Sequence, residues 1–480
     1  MILRRPLPTL ALLSALAACA PVGPDYHPPR PDLPAAFSGA AAAHAAVSGK
    51  AARATPLAQW WTGFHDPLLN RLAARTLAGN LDVQIAGQRL EAARADRDAV
   101  AAAEQPTLGL GADYANERSS TLLAWPPGNG QYKTWDAGLQ GSWEIDVFGG
   151  TRRAIEAADA ASSMAEEDVN AAKVAVLGEL VADYTLLRSD QHRLDIARRN
   201  IAAQNDSLAL TRRALKAGLG TEVDVARAEA AVKLSSAQVP VLEGGVQRLA
   251  HAIAVLTGQP PETLTAALYD QGGHDLKAPP LPAALPSDLL RNRPDIRRAE
   301  RRIAAATAQV GVATADLFPK FEIPLGIGPA TSNFANLFNI DSLVWTLGLS
   351  ARQSVLDGGK RDAHVRAAQA VSEADRLLYR RTVLDALREV EDRLTGIDTE
   401  RRRHAFLVTA VEDDRIAFTQ ASRLYGAGLT DFLKVLDAER ALFQAEDALA
   451  VSEAGEVLDI VGLYRAFGGG WQVSARSPST

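Results

Sequence analysis

WDAGLQGSWEIDVFGGTR, residues 135–152, and VWTLGLSARQSVLDGGKR, residues 344–361, are two versions of one instruction. In the first, Trp135, Ala137, Leu139, Gly141, Trp143 and Ile145 alternate with Asp136, Gly138, Gln140, Ser142 and Glu144. In the second, Trp345, Leu347 and Leu349 alternate with Thr346, Gly348 and Ser350. A period of two predicts a strand with one apolar face. Each strand then enters a turn that opens a helix, Asp146-Val147-Phe148-Gly149-Gly150-Thr151-Arg152 in one case and Asp357-Gly358-Gly359-Lys360-Arg361 in the other.

A partner strand precedes each of these. Leu108, Leu110, Ala112 and Tyr114 alternate with Gly109, Gly111 and Asp113. Phe321, Ile323, Leu325 and Ile327 alternate with Lys320, Glu322, Pro324 and Gly326. Pro324 is an irregularity, because proline removes a donor from the ladder. Ahead of each strand pair lies a helix that stops before a proline, Asn80 to Glu104 before Pro106 and Ile296 to Ala315 before Pro319. The chain therefore repeats itself once, at an offset of about 210 residues.

Alternation with aromatics suits a membrane barrel, with apolar residues toward lipid and polar ones toward a wet lumen. A half-buried sheet of a soluble protein shows the same alternation. Beyond the amino terminus, no stretch reaches the ~18–20 apolar residues of a transmembrane helix, so any crossing falls to strands. Four strands cannot close a barrel, since bacterial barrels have at least ~8, and lipid does not tolerate open edges. Two, three or four copies would supply enough strands, and the residues do not choose among them.

After each turn the period changes. Leu180, Leu187, Leu194, Ile201, Leu208 and Leu215 recur every seven residues, and so do Val383, Val390, Ile397, Val411, Phe418 and Tyr425, with His404 the polar member of the grid. A sustained heptad packs helices in a left-handed coil. The helices predicted from Arg152 to Ala217 and from Lys360 to Ala427 would each be ~100 Å long. Gly218 and Gly428 are natural left-handed caps. Thr221 with Asp224 forms a capping box, and Thr430 is expected to cap the helix after the second tip. Each long helix thus folds back as a hairpin whose tip lies at the opposite end from the strands.

The chain begins with Arg4 and Arg5, a short apolar run from Leu7 to Leu16, and Leu16-Ala17-Ala18-Cys19. The sole cysteine stands where a lipoprotein signal peptide would be cleaved, so Cys19 is expected to be acylated, and Ala20 after it favours the outer membrane. The organisation read from the residues is a lipoprotein signal peptide over 1–18, a lipid-anchored extended tether over 19–58 and a first repeat over 59–257, with strands 106–116 and 134–148. A Pro/Gly-rich linker follows over 258–286, then a second repeat over 287–471 with strands 319–328 and 344–357, and a tail over 472–480.

Composition excludes several classes of function. A formal net charge of -6 leaves no basic face for nucleic acid. Only 6% of residues are aromatic, and the 47% hydrophobic content is rich in alanine, which favours long helices over a thick core. No phosphate loop or catalytic constellation is present, and the eight histidines lack metal-ligand spacing. Arg297-Arg298, Arg301-Arg302 and Arg401-Arg402-Arg403 read as solvated helix faces. An enzyme, a metal cofactor and an energy-coupling site are therefore not expected.

The motifs resemble the TolC-like outer-membrane factors, in their lipoprotein branch. The resemblance is carried by Cys19 to Tyr26, Trp60 to Leu68, Trp143 to Gly149, Arg293-Pro294-Asp295-Ile296 with Ala299-Glu300, and Tyr425 to Gly428 through Leu436 to Arg440. It covers residues 19–471. It implies a mainly α fold with β: long coiled helices forming a periplasmic α-barrel, and four strands per chain in a shared 12-stranded transmembrane β-barrel built by a homotrimer. It also implies a passive efflux channel in the outer membrane, working with a periplasmic adaptor and an inner-membrane pump of the resistance-nodulation-division type. No cofactor is implied beyond the lipid at Cys19. Carried over by position, the periplasmic gate would comprise Asp431, Leu433, Asp437 and Arg440, with Asp437 forming a ring that Arg440 partly neutralises. A lipid-anchored periplasmic coiled-coil adaptor is the alternative. It would share the anchor and the heptads, but not two strand pairs at matching places.

Overall fold

The computed structural model describes residues 20–38, 57–118, 120, 122, 131–269, 278–282 and 286–472. Cys19 and part of the loop between the first two strands lie outside the described residues. The helices are α1 (Pro67–Gly79), α2 (Leu81–Ala101), α3 (Gly150–Lys216), α4 (Glu222–Ser236), α5 (Val239–Leu256), α6 (Thr265–Tyr269), α7 (Pro286–Asn292), α8 (Pro294–Ala315), α9 (Lys360–Gly426) and α10 (Phe432–Ala466). The strands are β1 (Thr107–Glu117), β2 (Tyr132–Ile145), β3 (Lys320–Thr331), β4 (Leu343–Leu347) and β5 (Ser350–Arg352). None of the described helices is long and apolar enough to cross a membrane. The chain divides into two compact units. One gathers Met1–Arg30, Arg89–Glu166 and Arg298–Arg380; the other gathers Pro31–Gln88, Glu167–Arg297 and Arg381–Thr480.

The first unit holds the sheet, which is antiparallel in the order β1-β2-β3-β4, with β5 also pairing β3. Its register preserves the alternation seen in each strand. Leu110 faces Leu139, Leu139 faces Ile327, and Ile327 faces Trp345, one apolar row across four strands. The neighbouring row runs Gly109, Gln140, Gly326 and Thr346. A one-residue slip in any strand would mix the two faces, so the pattern specifies the register. The fourth strand is broken where Pro324 stands. Gly348 donates to the Pro324 carbonyl at 3.1 Å, but Pro324 has no N–H to return, and pairing stops at Leu347 and resumes at Ser350. What the sequence predicts as a strand over 344–357 is therefore β4 plus β5, ending at Arg352.

In the second unit the heptad positions are the interior. Leu180, Leu187, Leu194 and Leu208 of α3 are buried, as are Val383, Val390, Ile397 and Val411 of α9. The arginine runs differ from the expectation of a solvated face. Arg401 pairs with Glu456 at 2.7 Å, and Arg297 pairs with the buried Glu167 at 2.6 Å while lying over the Trp471 ring. In the first unit Arg302 reaches the buried Asp375 at 2.7 Å. An arginine at a helix–helix seam can bury its stem and still present its fork to a carboxylate on the facing helix.

The motifs that carry the resemblance are structural joints. Trp60 is fully buried and stacks on Tyr464 at 5.0 Å. Asp66 caps α1 and accepts from the Tyr184 hydroxyl at 2.6 Å, which itself accepts from Arg188 at 2.7 Å. Arg293 donates to the Ala466 carbonyl and pairs with Glu389 and Asp295, tying the start of the second repeat to the end of α10. The described parts of the expected linker are not free chain: Leu264 and Leu268 are buried, and Tyr464 donates to the Pro280 carbonyl at 2.6 Å.

Candidate functional site

Three features of the fold bear on function. The first is the sheet. Its apolar face stands open in the single chain, with Leu110 81% and Trp345 72% exposed, which marks a surface made to be covered by something apolar. Aromatic clusters bracket that face. Tyr114, Trp135 and Phe334 pack at one end, at 4.3 and 4.9 Å. At the other end Phe148 stacks on Phe318 at 4.6 Å, and Trp143 donates to the Glu104 carbonyl. Rings with a polar tip at both ends of an apolar band suit two membrane–water interfaces. The opposite face places like charges directly across from each other, Asp113 against Asp136 and Glu144 against Glu322. Such pairs repel in a dry site and are tolerated where water solvates them. Among the described residues, the outer edges of β1 and of β4 pair with no strand.

The second feature is the segment after Cys19. Val22 donates to the Phe148 carbonyl at 3.0 Å, just past the end of β2. Arg153 lies buried beneath the segment and donates to the carbonyls of Val22 and Gly23 at 3.2 and 3.4 Å and to Asp25 at 2.7 Å. That contact holds the Asp25 carboxyl below its ordinary range. Tyr26 donates to Glu300 at 2.8 Å, with Arg301 over its ring. Gly23, at φ +89°, passes so close to Gly311 that a Cβ would lie 2.5 Å from the Gly311 Cα. The described start of the expected tether, residues 20–38, is thus seated on the fold. Further on, Phe37 is buried edge-on against Phe467 at 5.7 Å.

The third feature is the pair of hairpin tips. α3 ends in a Schellman motif: Gly218 has φ +73°, its N–H reaches the Leu215 carbonyl at 3.0 Å, and the Leu219 N–H reaches Ala214 at 2.9 Å. α9 ends the same way at Gly428, φ +71°. The capping box of Thr221 and Asp224 is complete. The second tip differs from expectation. Asp431, not Thr430, is the N-cap of α10, accepting from the Lys434 N–H at 3.1 Å. A carboxylate at this position also meets the positive end of the helix dipole, which a threonine hydroxyl cannot do.

Behind the caps, Leu208 of α3, Ala228 and Ala231 of α4, and Phe432, Val435 and Leu436 of α10 form one core, with Phe418 and Tyr425 of α9 against it. Because α10 buries Phe432, Val435, Leu436 and Glu439, its other face exposes Leu433, Asp437 and Arg440. These three stand at helical spacing on one stripe. The structure therefore groups Leu433, Asp437 and Arg440 and sets Asp431 apart as a cap. The anticipated neutralisation of Asp437 by Arg440 is not made, since neither forms an ion pair among the described residues. An exposed pair of this kind has little to gain from holding two long side chains in one geometry.

Glu439 was not singled out from the sequence. It is 3% exposed, accepts from the Ser207 hydroxyl at 3.3 Å, and burial pushes its pKa up to about 7 while the Ser207 bond pulls it down. The available signal was its place on the apolar repeat Phe432, Val435, Leu436, Phe443. Among the described residues no group of three or more His, Cys, Asp or Glu could hold a metal ion.

Comparisons with known proteins agree with this architecture. The family described as outer membrane efflux protein matches residues 72–259 and 285–469. Nodulation protein T of Rhizobium leguminosarum bv. viciae is 32% identical over 469 residues, covering 96% of this chain and 93% of its own. The pyoverdine export outer membrane protein OpmQ of Pseudomonas putida is 33% identical, covering 88% and 90%. Among solved structures, the outer-membrane channel OprN superposes with a TM-score of 0.86 at 39% identity, over 94% of this chain and 99% of that one.

Proposed function

The chain belongs to the outer membrane efflux protein family, and from that premise we propose how it conducts, what closes it and what it assembles with. It is the outer-membrane channel subunit of a tripartite efflux system. The observation that carries the conducting reading is the four-strand register, with an apolar face bracketed by aromatics, a polar face with acids set directly across from each other, and two unpaired edges among the described residues. Edges cannot stay open in lipid. Three copies close them into a 12-stranded barrel whose acidic face lines water, and the long helices continue the conduit into the periplasm.

The passage is passive and needs no cofactor. A periplasmic adaptor and an inner-membrane pump, of the resistance-nodulation-division type, do the work and select the cargo. Lipid at Cys19 completes the anchorage. What supports it is Val22, tied beside the end of β2, which seats the described start of the chain against the strands. Leu433, Asp437 and Arg440 from three chains form the periplasmic constriction, with Asp431 holding the start of α10.

The coiled-coil adaptor reading leaves the sheet without a purpose. One experiment tests the channel directly: detergent extraction of the outer membrane, then electrophoresis with and without heating, then conductance in planar bilayers. A heat-sensitive oligomer that conducts ions supports the reading. A soluble monomer with no conductance overturns it.

A further inference from the structure

We infer that Glu439 positions the constriction: as a neutral carboxylic acid it pins the first turns of α10 to α3, and as a carboxylate it lets them part. The inference rests on the gate reading above, because Glu439 acts on Leu433, Asp437 and Arg440 through their shared helix and does not line their stripe.

The geometry is that of a group meant to be uncharged. Glu439 sits on the buried side of α10, 3% exposed, next to a core of leucine, valine, alanine and phenylalanine. Its one hydrogen-bond partner among the described residues is Ser207, itself 8% exposed. One turn back on α3, Gln204 is buried with its Oε1 unsatisfied by any donor. A protonated acid carries a donor as well as acceptors, whereas a carboxylate carries only acceptors.

No cation pairs with Glu439, on which only burial and the Ser207 bond act, although Arg213 of α3 and Arg423 of α9 line the cleft beside Ser207 together with Asp206. On α3, Arg212 is engaged by Glu229 of α4 at 2.6 Å. On α9, Arg415 is engaged by Glu446 at 2.6 Å, and Asp413 and Asp414 precede it. Lys233 of α4 and, on α10 itself, Lys434, Asp437 and Arg440 make no ion pair with Glu439. An ion buried without a partner must hydrate or be expelled.

The route to water is present. Ser207 and Val435 line a cleft of ≈ 510 Å³ between α3, α9 and α10. Hydrating Glu439 through it means drawing α10 away from α3. The sign follows from the burial: a carboxyl raised to about 7 holds a proton in the packed state that it would lose when freed, so the packing is full below the ordinary carboxylate range, weakens as pH rises from there to about 7, and changes no further above it.

The test uses the full-length protein in detergent and in planar bilayers from the ordinary carboxylate range up to about pH 8. Hydrogen exchange of residues 432–440, corrected for intrinsic rate, reads the latch; single-channel conductance reads the gate. In wild type both rise with pH up to about 7 and then level off, the open-to-closed ratio rising by up to about tenfold per pH unit for each chain that titrates. Glu439→Gln stays neutral and is flat and closed in both. Ser207→Ala removes a bond that favours the carboxylate, so its transition moves to higher pH, and this variant keeps the test informative should Glu439→Gln not fold. An identical pH profile in wild type and Glu439→Gln, or exchange that ignores pH, overturns the inference and leaves the gate reading standing. Exchange that follows pH while conductance stays flat overturns the gate reading, and with it the role given to Glu439.

Discussion

Replacing Leu139 by arginine puts the barrel to its most direct test. Leu139 sits in β2 between Trp135 and Trp143, four residues from each, and in the row Leu110, Leu139, Ile327, Trp345. Four residues of strand are about 14 Å, so the substitution lies near the middle of the apolar band. An arginine facing lipid at the midplane costs ~2–4 kcal/mol, which is roughly a 30- to 900-fold loss in the folding equilibrium per chain. Gln140→Arg is the internal control. It shifts the same charge by one residue onto the row of Gly109, Gly326 and Thr346, and its cost should be close to zero. Both variants would be refolded into lipid vesicles over a urea series, with the heat-sensitive oligomer band as readout. Leu139→Arg should need markedly less urea to unfold, and Gln140→Arg should track wild type. Equal midpoints for the two would refute the argument, because a sheet covered by protein on both faces, or by water on both, makes no such distinction.

Three further outcomes follow from the same structure. Cys19→Ser should abolish fatty-acid labelling and leave the precursor uncleaved; unchanged labelling would remove the anchor. Arg153→Met should free the segment around Val22 to Tyr26, at a cost of about 1–3 kcal/mol for bonds to a charged donor, and limited proteolysis at residues 20–30 should detect it. Because Arg153 depresses the Asp25 carboxyl, the Asp25 share of that hold is present above the ordinary carboxylate range and is lost on acidification, so wild type in acid should approach the variant. Replacing Leu433 and Asp437 together by alanine should raise single-channel conductance and weaken block by polyvalent cations, whereas wild-type values in both would rule this stripe out as the constriction.

What was legible in the sequence was whatever repeats. Strands announce themselves by a period of two and coiled helices by a period of seven, and both periods survive into the register rows and the buried heptads. Pro324 was legible as a fault, and the fault fell on its neighbour: the ladder breaks at Gly348. What was not legible depends on residues distant in the chain. Arg297 looks solvated until Glu167 and Trp471 arrive beside it. Arg153 looks like one of many helix arginines until Gly23 and Gly311 bring the amino-terminal segment over it. Asp431 and Thr430 are adjacent and both are good caps, so the choice waited on the backbone. Glu439 reads as one more charged residue on an alanine-rich helix, and only the facing Ser207 and the core around it make it unusual.

The two tips hold the helices that follow them differently. Both use the same glycine reversal, so the difference lies in what holds the next helix. At the first tip, Thr221 and Asp224 satisfy each other's backbone through a complete capping box. At the second, Asp431 supplies one side-chain bond, and the hydroxyls of Ser422, Tyr425 and Thr430 are buried with no protein partner. A hydrogen bond that is made resists displacement by about 0.5–1.5 kcal/mol, whereas a hydroxyl that no protein group satisfies loses nothing when the helix end moves. Two of these hydroxyls, on Ser422 and Tyr425, line the same cleft as Ser207. Shifting the start of α10 therefore breaks few bonds and opens onto groups that gain from water. The first tip, with its capping box complete, resists the same shift more strongly.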